Sequence, residues 1–306
     1  MPKVSVVIPT YNRAELLGSA INSVLSQTFQ DFEIVVVDDA SRDNTAEVIR
    51  GFNDKRIKHV RHETNKGEAG ARNTGVINSD GSYVAFLDDD DEWLPEKLER
   101  QIEIFERDSD RIGGVYTGFL KVDRATGQVV KEVIPTKRGN IFNELLQFNW
   151  IRIPSVLMVK KECFDRTGLF DASIPFGLDY DMWIRISKEF QFEYVDRPLV
   201  KYYSHADSRL STNYKLVISG KEAMLKKYSD VFESNKKDHS YRYLQLGVLY
   251  CYSGNARKGR EAFLRAIMAY PFEVRHYFNF CLSLLGASVF KKMKVIKENA
   301  LRYGDV

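Results

Sequence analysis

The sequence has few cysteines and no long apolar run, and both features narrow the kind of protein it encodes. Its 306 residues include three cysteines, which are scattered along the chain. This pattern argues against a disulfide framework or a cysteine-based zinc site and fits a reducing compartment. No stretch reaches the ~18 consecutive apolar residues of a membrane-spanning helix. We therefore expect a cytoplasmic protein or one that is peripheral on the cytoplasmic face of a membrane.

Several familiar sequence signals are also missing. The chain passes from Met1-Pro2-Lys3 straight into a strand-like segment, without the apolar leader of a signal peptide. It has neither the G-x-G-x-x-G fingerprint of dinucleotide-binding folds nor the G-x-S-x-G elbow of nucleophilic hydrolases. Its net charge of +3 is too small to indicate a nucleic-acid partner. With 44% hydrophobic residues, the chain can still bury a substantial core.

Strand-like and helix-like segments alternate through the first hundred residues. Apolar, β-branched runs typical of buried strands are separated by segments whose apolar residues recur at helical spacing. The alternation predicts right-handed parallel crossovers within an α/β sheet. We expect Pro9 to end the first strand and Asn12 to cap the helix that follows. The strand patterns lie at residues 4–8, 32–37, 57–60 and 83–87.

The pattern changes after residue 113. Two strand-like segments, 115–122 and 129–134, flank residues 123–127, whose composition is typical of a hairpin turn. Antiparallel strands are therefore expected to join the edge of the parallel sheet. From about residue 213 the strand patterns stop, and helical spacing predominates.

Four consecutive aspartates, from Asp88 to Asp91, directly follow the fourth strand pattern. Such carboxylates remain ionised together only if a cation lies among them. Mg²⁺ and Mn²⁺ are typically held by one or two carboxylates together with substrate phosphates. Ligands of open α/β sheets also bind at the carboxyl ends of strands. Taken alone, the run is more simply a solvated turn before the helix near Pro95, but the motifs around it favour a metal and phosphate site.

The chain resembles the family-2 glycosyltransferases, inverting enzymes with the GT-A type nucleotide-diphosphosugar fold. The resemblance covers roughly residues 3–210. It implies an α/β fold, with a mixed, mostly parallel, Rossmann-like sheet flanked by helices, and a catalytic domain at residues 1–212. It is carried by five segments in the family's order: VSVVIPTYNR from Val4, VVVDDAS from Val35, GARNTG from Gly70, FLDDDD from Phe86 and LDYDMW from Leu178.

The resemblance implies a set of donor-binding residues. Pro9, Thr10 and Tyr11 would line the base pocket, with Tyr11 packed against the nucleobase ring. Asp39 would accept a hydrogen bond from the base, for which uracil is the usual partner. UDP is therefore the favoured nucleotide of the donor sugar.

The resemblance also implies which residues bind the diphosphate. Arg72 would lie near it, and Asp88, Asp89 and Asp90 match the family's D-x-D region. Within that region Asp89 would face the ribose, and Asp90 would hold Mn²⁺ or Mg²⁺. His205 matches a position where some relatives present a metal or phosphate ligand.

On the acceptor side, the resemblance places Asp179 as the general base. Trp183 would help to shape the acceptor site, and Asp181 lies on the same side, although a position at the helix start favours a dipole-stabilising role. The chain departs from the family at Leu178, where a glutamate is common. It also lacks the Q-x-x-R-W motif of processive synthases, which favours transfer of one sugar at a time.

These observations predict a metal-dependent inverting glycosyltransferase. It would move one sugar from a nucleotide-diphosphosugar to a hydroxyl of a glycan or lipid-linked glycan, in cell-surface polysaccharide or glycoconjugate synthesis. One alternative is a non-catalytic, sugar-nucleotide-binding protein that recruits partners through its helical region. Another is a nucleotidyltransferase, which the absence of glycine in residues 9–13 disfavours.

Residues 213–306 are expected to form a small helical region. The spacing from Tyr243 to Pro271 follows the tetratricopeptide pattern and predicts a helix pair at about 240–272. An ordinary helical hairpin fits equally well. Beyond it, a segment with apolar residues and lysines suits either a solvated helix face or contact with an anionic membrane or a protein.

Overall fold

The computed structural model describes residues 1–107, 111–204 and 213–293. The described chain divides into two compact units. The first comprises residues 1–172 and 178–204 and contains the sheet. The second comprises residues 173–177 and 213–293 and is helical. His205 and the lysines from residue 294 onward lie outside the described residues.

The strands of the first unit form one mixed sheet, as expected for this α/β class. Strands β3, β2, β1 and β4 lie side by side in this order and are parallel to one another. Strand β8 then pairs antiparallel with β4. The order continues β8-β6-β9-β5, and β7 forms the expected antiparallel hairpin with β6. In the part of the chain that the structure describes, the nine strands are β1 Val4–Thr10, β2 Phe32–Asp38, β3 Ile57–Arg61, β4 Tyr83–Phe86, β5 Glu92–Trp93, β6 Ile112–Asp123, β7 Val129–Val133, β8 Leu157–Lys160 and β9 Gln191–Ser204.

Pro9 does not end the first strand, because β1 continues to Thr10. Val7 accepts a hydrogen bond from the Leu87 amide on the β4 side of β1. Pro9, two residues further on, faces the same side, but β4 has already ended at Phe86. A proline is tolerated there because no acceptor is left for the N–H that it lacks.

Asn12 does not cap the first helix either. Asp43 instead accepts hydrogen bonds from the Ala14 amide, at 3.0 Å, and from the Thr45 amide, at 3.2 Å. One carboxylate thus satisfies the first N–H of two helices, α1 and α2. The helices of the first unit are α1 Ala14–Leu25, α2 Thr45–Gly51, α3 Gly67–Ile77, α4 Lys97–Arg107, α5 Phe142–Gln147, α6 Glu162–Thr167 and α7 Leu178–Glu189, with a 3-10 turn at Pro154–Val156.

The second unit contains the expected helix pair at α10 and α11. The two helices pack so closely at Gly247 that a Cβ atom added there would come within 2.3 Å of the Phe263 ring. None of the helices in the described ranges is long and apolar enough to cross a membrane. The helices of this unit are α8 Tyr214–Lys227, α9 Ser229–Ser234, α10 Lys236–Tyr252, α11 Ala256–Ala269 and α12 Val274–Leu284.

Candidate active site

The acidic run lies directly beyond the carboxyl end of β4, beside the end of β1. Thr10 donates a hydrogen bond from its hydroxyl to Asp89 at 2.8 Å. Arg13, at the start of α1, lies 2.9 Å from Asp89 and 3.3 Å from Asp90. Burial raises the pKa of Asp89, and Arg13 and Thr10 oppose that rise. The side chain of Asp90 retains 18% exposure, so it lies at the accessible edge of this group.

Arg72 links the acidic run to α3. Its guanidinium lies 2.7 Å from Glu68 and 2.9 Å from Asp88, and its side chain is only 2% exposed. It is flanked by the rings of Phe86 and Phe170, each 5.9 Å from its central carbon. Its Nε and Nη1 atoms are buried without a hydrogen-bond partner in the described residues. Arg72 is therefore an interior cation whose hydrogen-bonding capacity is only partly used.

Asp88 is the carboxylate of the run that pairs with Arg72. Burial raises its pKa to about 7; Arg72 opposes the rise, and Asp90 and Glu68 add to it. Mutual repulsion among carboxylates is the expected cost of placing them at one strand end. A cation bound beside Asp88 would lower this pKa again.

Asp91, the last member of the run, has a supporting position. It is buried, and it accepts hydrogen bonds from the Ser155 hydroxyl at 2.6 Å and from the Tyr203 amide at 3.4 Å. Ser155 also accepts a hydrogen bond from the Asp88 amide at 3.1 Å. These contacts fix the turn that presents the preceding three carboxylates.

Asp179 lies in the first turn of α7 and is electrostatically coupled to Arg72. Burial raises its pKa to about 6; Arg72 opposes the rise, and Glu68 adds to it. A carboxylate in this range is ionised at neutral pH and basic enough to accept a proton. The structure thus brings Asp179, Arg72 and Asp88 into one electrostatic group, although they are far apart in sequence.

Trp183 and Asp181 lie in the interior. Trp183 is fully buried, with its ring centroid 6.1 Å from that of Phe86 and 6.2 Å from that of Phe170. Asp181 lies in the first turn of α7, as expected; it is also fully buried and pairs with Arg185 at 2.9 Å. Both side chains are buried in this structure, and their acceptor-side roles stay predictions.

A cavity of about 370 Å³ opens beside the loops that follow β1 and β2. Tyr11 lines it and is 45% exposed, as a residue that stacks on a ligand ring would be. Asn12 and Ala40 have φ values of 52° and 67°, which are uncommon for residues other than glycine. Such strain often occurs at ligand sites. The other residues that line the cavity are Ala40, Ser41, Arg42, Arg61, His62, Glu63, Thr64 and Asn65.

Asp39 is buried and does not line this cavity, but it contacts the lining residue His62. Its carboxylate contacts the His62 ring nitrogen at 2.6 Å and accepts hydrogen bonds from the amides of Lys66 and Gly67, at 2.8 and 2.9 Å. Three of its roughly four acceptor positions are therefore occupied. Pro9 and Thr10 are in β1 at the same sheet edge, and Pro9 pairs with Val37.

The described residues hold no group of three or more His, Cys, Asp or Glu side chains that could form a metal site by themselves. The expected ligand His205 lies outside those residues. Asp88 and Asp90 are the partly exposed carboxylates of the run, with 28% and 18% side-chain exposure. This donor set suits a cation that takes its other ligands from a bound phosphate and water.

Two residues of the site were not anticipated from sequence. Arg13 contacts carboxylates 76 and 77 positions away, and Glu68 bridges to Arg72 one helical turn along α3. The i, i+4 spacing of Glu68 and Arg72 could have indicated that pair. Nothing in local spacing points to the contacts of Arg13.

A larger cavity, of about 600 Å³, lies within the helical unit and is lined mostly by apolar side chains. Lys221 lies in it and donates a hydrogen bond to Gln245 at 2.9 Å. Burial lowers the pKa of Lys221 to about 8. The carboxylates described above are absent from this lining, so the candidate active site is the one at the sheet edge.

Comparison with known proteins defines the class. A family model described as glycosyl transferase family 2 matches residues 5–167, which is more than half of the chain. The chain therefore belongs to glycosyltransferase family 2, and it is a glycosyltransferase, as the sequence motifs implied.

Individual relatives agree with this assignment. The chain is 35% identical over 213 residues to the UDP-Glc:alpha-D-GlcNAc-diphosphoundecaprenol beta-1,3-glucosyltransferase WfgD of Escherichia coli, spanning 69% of this chain and 80% of that protein. It is 31% identical over 220 residues to the uncharacterized glycosyltransferase RP339 of Rickettsia prowazekii, spanning 69% and 67%. Some relatives are much longer: the chain spans 30% of one from Rickettsia bellii, at 33% identity.

Solved structures share the fold. A crystal structure of Staphylococcus aureus TarS 1-349 in complex with UDP-GlcNAc superposes with a TM-score of 0.62 at 16% identity, covering 95% of this chain and 91% of that one. The mannosyltransferase PcManGT of Pyrobaculum calidifontis, in complex with GDP-Man and Mn²⁺, gives 0.57 at 18% identity, covering 90% and 78%. At these identities the likeness supports the GT-A type fold alone.

Proposed function

We propose that this protein transfers one sugar from a UDP-sugar to a hydroxyl of a lipid-linked glycan, with inversion of the anomeric centre. The observation that carries the proposal is the coupling of Asp179 to Arg72, which contacts Asp88 in the acidic run. A proton acceptor and the group suited to a diphosphate therefore belong to one site. WfgD is named for a UDP-sugar donor and a diphosphoundecaprenol-linked acceptor, and this supports the choice of both substrates.

On the donor side, Tyr11 would stack on the nucleobase in the 370 Å³ cavity. Asp39, which holds the lining residue His62, would offer its remaining acceptor position to the base N–H. Asp89 would face the ribose. Arg13 and Arg72 would supply positive charge to the diphosphate, Arg13 from the exposed side and Arg72 from the interior.

A divalent cation, Mn²⁺ or Mg²⁺, fits the chemistry of this donor set. Asp90 would hold it, with Asp88 beside it and phosphate oxygens completing the ligands. When bound, the cation would neutralise the charge that develops on the diphosphate leaving group. His205 stays a predicted additional ligand.

The chemical step requires one base. The acceptor hydroxyl oxygen would bond to the anomeric carbon as the bond from that carbon to the diphosphate oxygen breaks, and Asp179 would take the hydroxyl proton. A single displacement inverts the anomeric centre, so no second carboxylate nucleophile is needed. The nucleoside diphosphate departs with the bonding electron pair.

Calorimetric titration of the purified protein with UDP, GDP, dTDP and CMP, each with Mn²⁺ and again with EDTA, tests the donor assignment. We expect UDP to bind with Mn²⁺ and to lose at least about tenfold in affinity with EDTA, because the cation would supply positive charge that attracts the diphosphate. Asp90→Asn should remove most of this metal dependence. Glu103→Gln, a change of another partly exposed carboxylate, on α4, is the matched control. Absence of nucleotide binding with metal present would contradict the assignment.

A further inference from the structure

The chain segment that connects β7 to β8 carries two aromatic rings and two cations whose side chains contact one another. The ring centroids of Phe148 and Trp150 are 5.3 Å apart at an interplanar angle of 71°. Lys137 Nζ lies 5.1 Å from the Trp150 centroid, and Arg152 Cζ lies 5.1 Å from that of Phe148. Each cation is within the ~6 Å range of a cation–π contact. We call these four residues the aromatic–cation patch.

The backbone of this segment is held in a strained conformation. Arg152 has a φ of 70°, which is unfavourable for an arginine. The Ile153 amide donates to the Ile151 carbonyl at 2.9 Å, closing a three-residue turn around Arg152. Turns of this kind with positive φ are rare and strained. The Asn149 side chain accepts a hydrogen bond from the Arg152 amide at 3.0 Å and helps to hold the turn.

One end of the patch is tied to the helix that carries Asp179. Tyr180, the next residue, donates a hydrogen bond from its hydroxyl to the carbonyl of Leu145 in α5. Phe148 is three residues beyond Leu145, so their Cα atoms are at most about 11 Å apart. The Phe148 ring is therefore attached through a short segment to the neighbour of the proposed base.

The other end is tied to the acidic run. Ser155 donates to Asp91 at 2.6 Å and accepts from the Asp88 amide at 3.1 Å. Arg152 precedes Ser155 by three residues, again at most about 11 Å of chain. Phe148, Trp150 and Arg152 therefore belong to a segment whose two ends are anchored beside the proposed base and at the proposed diphosphate site, and Lys137 joins them through its contact with Trp150.

The exposed groups of the patch suit a ligand that is part sugar and part phosphate. Phe148 is 40% exposed, and its ring can cover the apolar C–H face of a pyranose. Arg152 is exposed, and a guanidinium binds phosphate oxygens through paired hydrogen bonds. The indole N–H of Trp150 is buried and has no hydrogen-bond partner in the described residues.

We propose that the aromatic–cation patch is an acceptor subsite, in which Phe148 packs on the acceptor sugar while Arg152 and Lys137 bind the diphosphate that joins this sugar to its lipid. The inference rests on the proposed function, because it takes the acceptor to be a lipid-linked glycan. It goes further in assigning the parts of the acceptor to particular side chains.

Transfer kinetics with a short-chain alkyl GlcNAc-diphosphate as the acceptor probe test the assignment. We expect Phe148→Ala and Arg152→Asn each to lower kcat/KM for the probe by about tenfold, mainly through a higher KM, because ground-state binding is lost. Asparagine tolerates the positive φ at position 152. The affinity for UDP with Mn²⁺ should change by less than about twofold, since these side chains face the acceptor. Phe272→Ala and Lys131→Asn, changes of an exposed aromatic ring and an exposed cation elsewhere, are the controls.

A binding measurement makes the test independent of catalysis. Trp150 is less buried than the other tryptophans, Trp93 and Trp183, so intrinsic fluorescence reports on the patch. We expect the probe, added with UDP and Mn²⁺, to give a saturable signal that Trp150→Phe removes. Phe148→Ala should weaken probe binding at least about fivefold, as the loss of one stacked ring predicts. If the wild-type protein did not bind UDP, that result would count against the proposed function. The titration with the acceptor probe would still test whether the patch binds the acceptor.

Two results would overturn the assignment. The first is unchanged probe affinity and unchanged KM in both the Phe148→Ala and Arg152→Asn variants. The second is a parallel loss of UDP affinity in both variants, which would show that the patch supports the fold of the donor site.

Discussion

At the scale of single residues, the pKa of Asp179 decides when the proposed base can act. Burial raises it to about 6 and Arg72 limits the rise. Since only the ionised carboxylate accepts a proton, activity is present above this pKa and is lost as the pH falls through it. We predict that kcat at saturating substrates declines about tenfold per pH unit below pH 6. Initial rates between pH 5 and 8 measure this, with circular dichroism to verify folding. A rate that is constant down to pH 5 would contradict the assignment.

The residues of the site were partly accessible from sequence. Asp88, Asp89, Asp90, Arg72 and Asp179 stand in motifs, and the structure places Arg72 against Asp88 and in electrostatic range of Asp179. Their roles stay predictions. The motifs could not predict which of these side chains would be buried in the folded protein.

Trp183 and Asp181 illustrate that limit. Spacing along α7 does not tell which side chains pack inward, and both of these are fully buried. Arg13 illustrates the converse, because its importance comes from contacts with Asp89 and Asp90 across the fold.

At the scale of secondary-structure elements, Asp43 joins α1 to α2. Its carboxylate accepts from the first amide of each helix, and the hydroxyl of Thr45 adds a third hydrogen bond at 2.6 Å. We predict that Asp43→Ala lowers the free energy of unfolding by roughly 1–2 kcal/mol, as loss of a helix cap does. Urea unfolding followed by circular dichroism measures the change.

The matched variant for this prediction is Asp43→Asn. It retains an acceptor oxygen, so it should cost less than Asp43→Ala. Equal stability of the wild type and the alanine variant would show that the two caps contribute nothing.

The elements themselves were largely predictable where strands are buried on both faces. The segments of β1, β2 and β4 are predominantly apolar, and a parallel sheet follows from their alternation with helices. The two-residue β5 carries too little pattern to be recognised. The extension of β1 through Pro9 depends on where β4 ends, which only the sheet reveals.

At the scale of the whole molecule, the sheet unit contains every described residue of the candidate site. Chain order places these residues at the ends of β1, β2 and β4 and in α3 and α7, and the sheet brings them together. The helical unit contains an apolar cavity and many exposed apolar side chains, including Met268 and Phe272. Contact of this unit with a membrane or a protein stays a prediction.

The central claim is that Asp179 is the base of a site that binds UDP independently of it. Replacing Asp179 by Asn keeps the size of the side chain and removes its ability to take a proton. The matched control is Glu189→Gln, an exposed carboxylate on the same helix. The direct measurement is the rate of sugar transfer by these variants, paired with calorimetric titration of UDP and Mn²⁺. We predict that Asp179→Asn lowers kcat by about 10²–10⁴-fold, the usual contribution of a general base, with UDP affinity near that of the wild type. Transfer at the wild-type rate by Asp179→Asn would contradict the account.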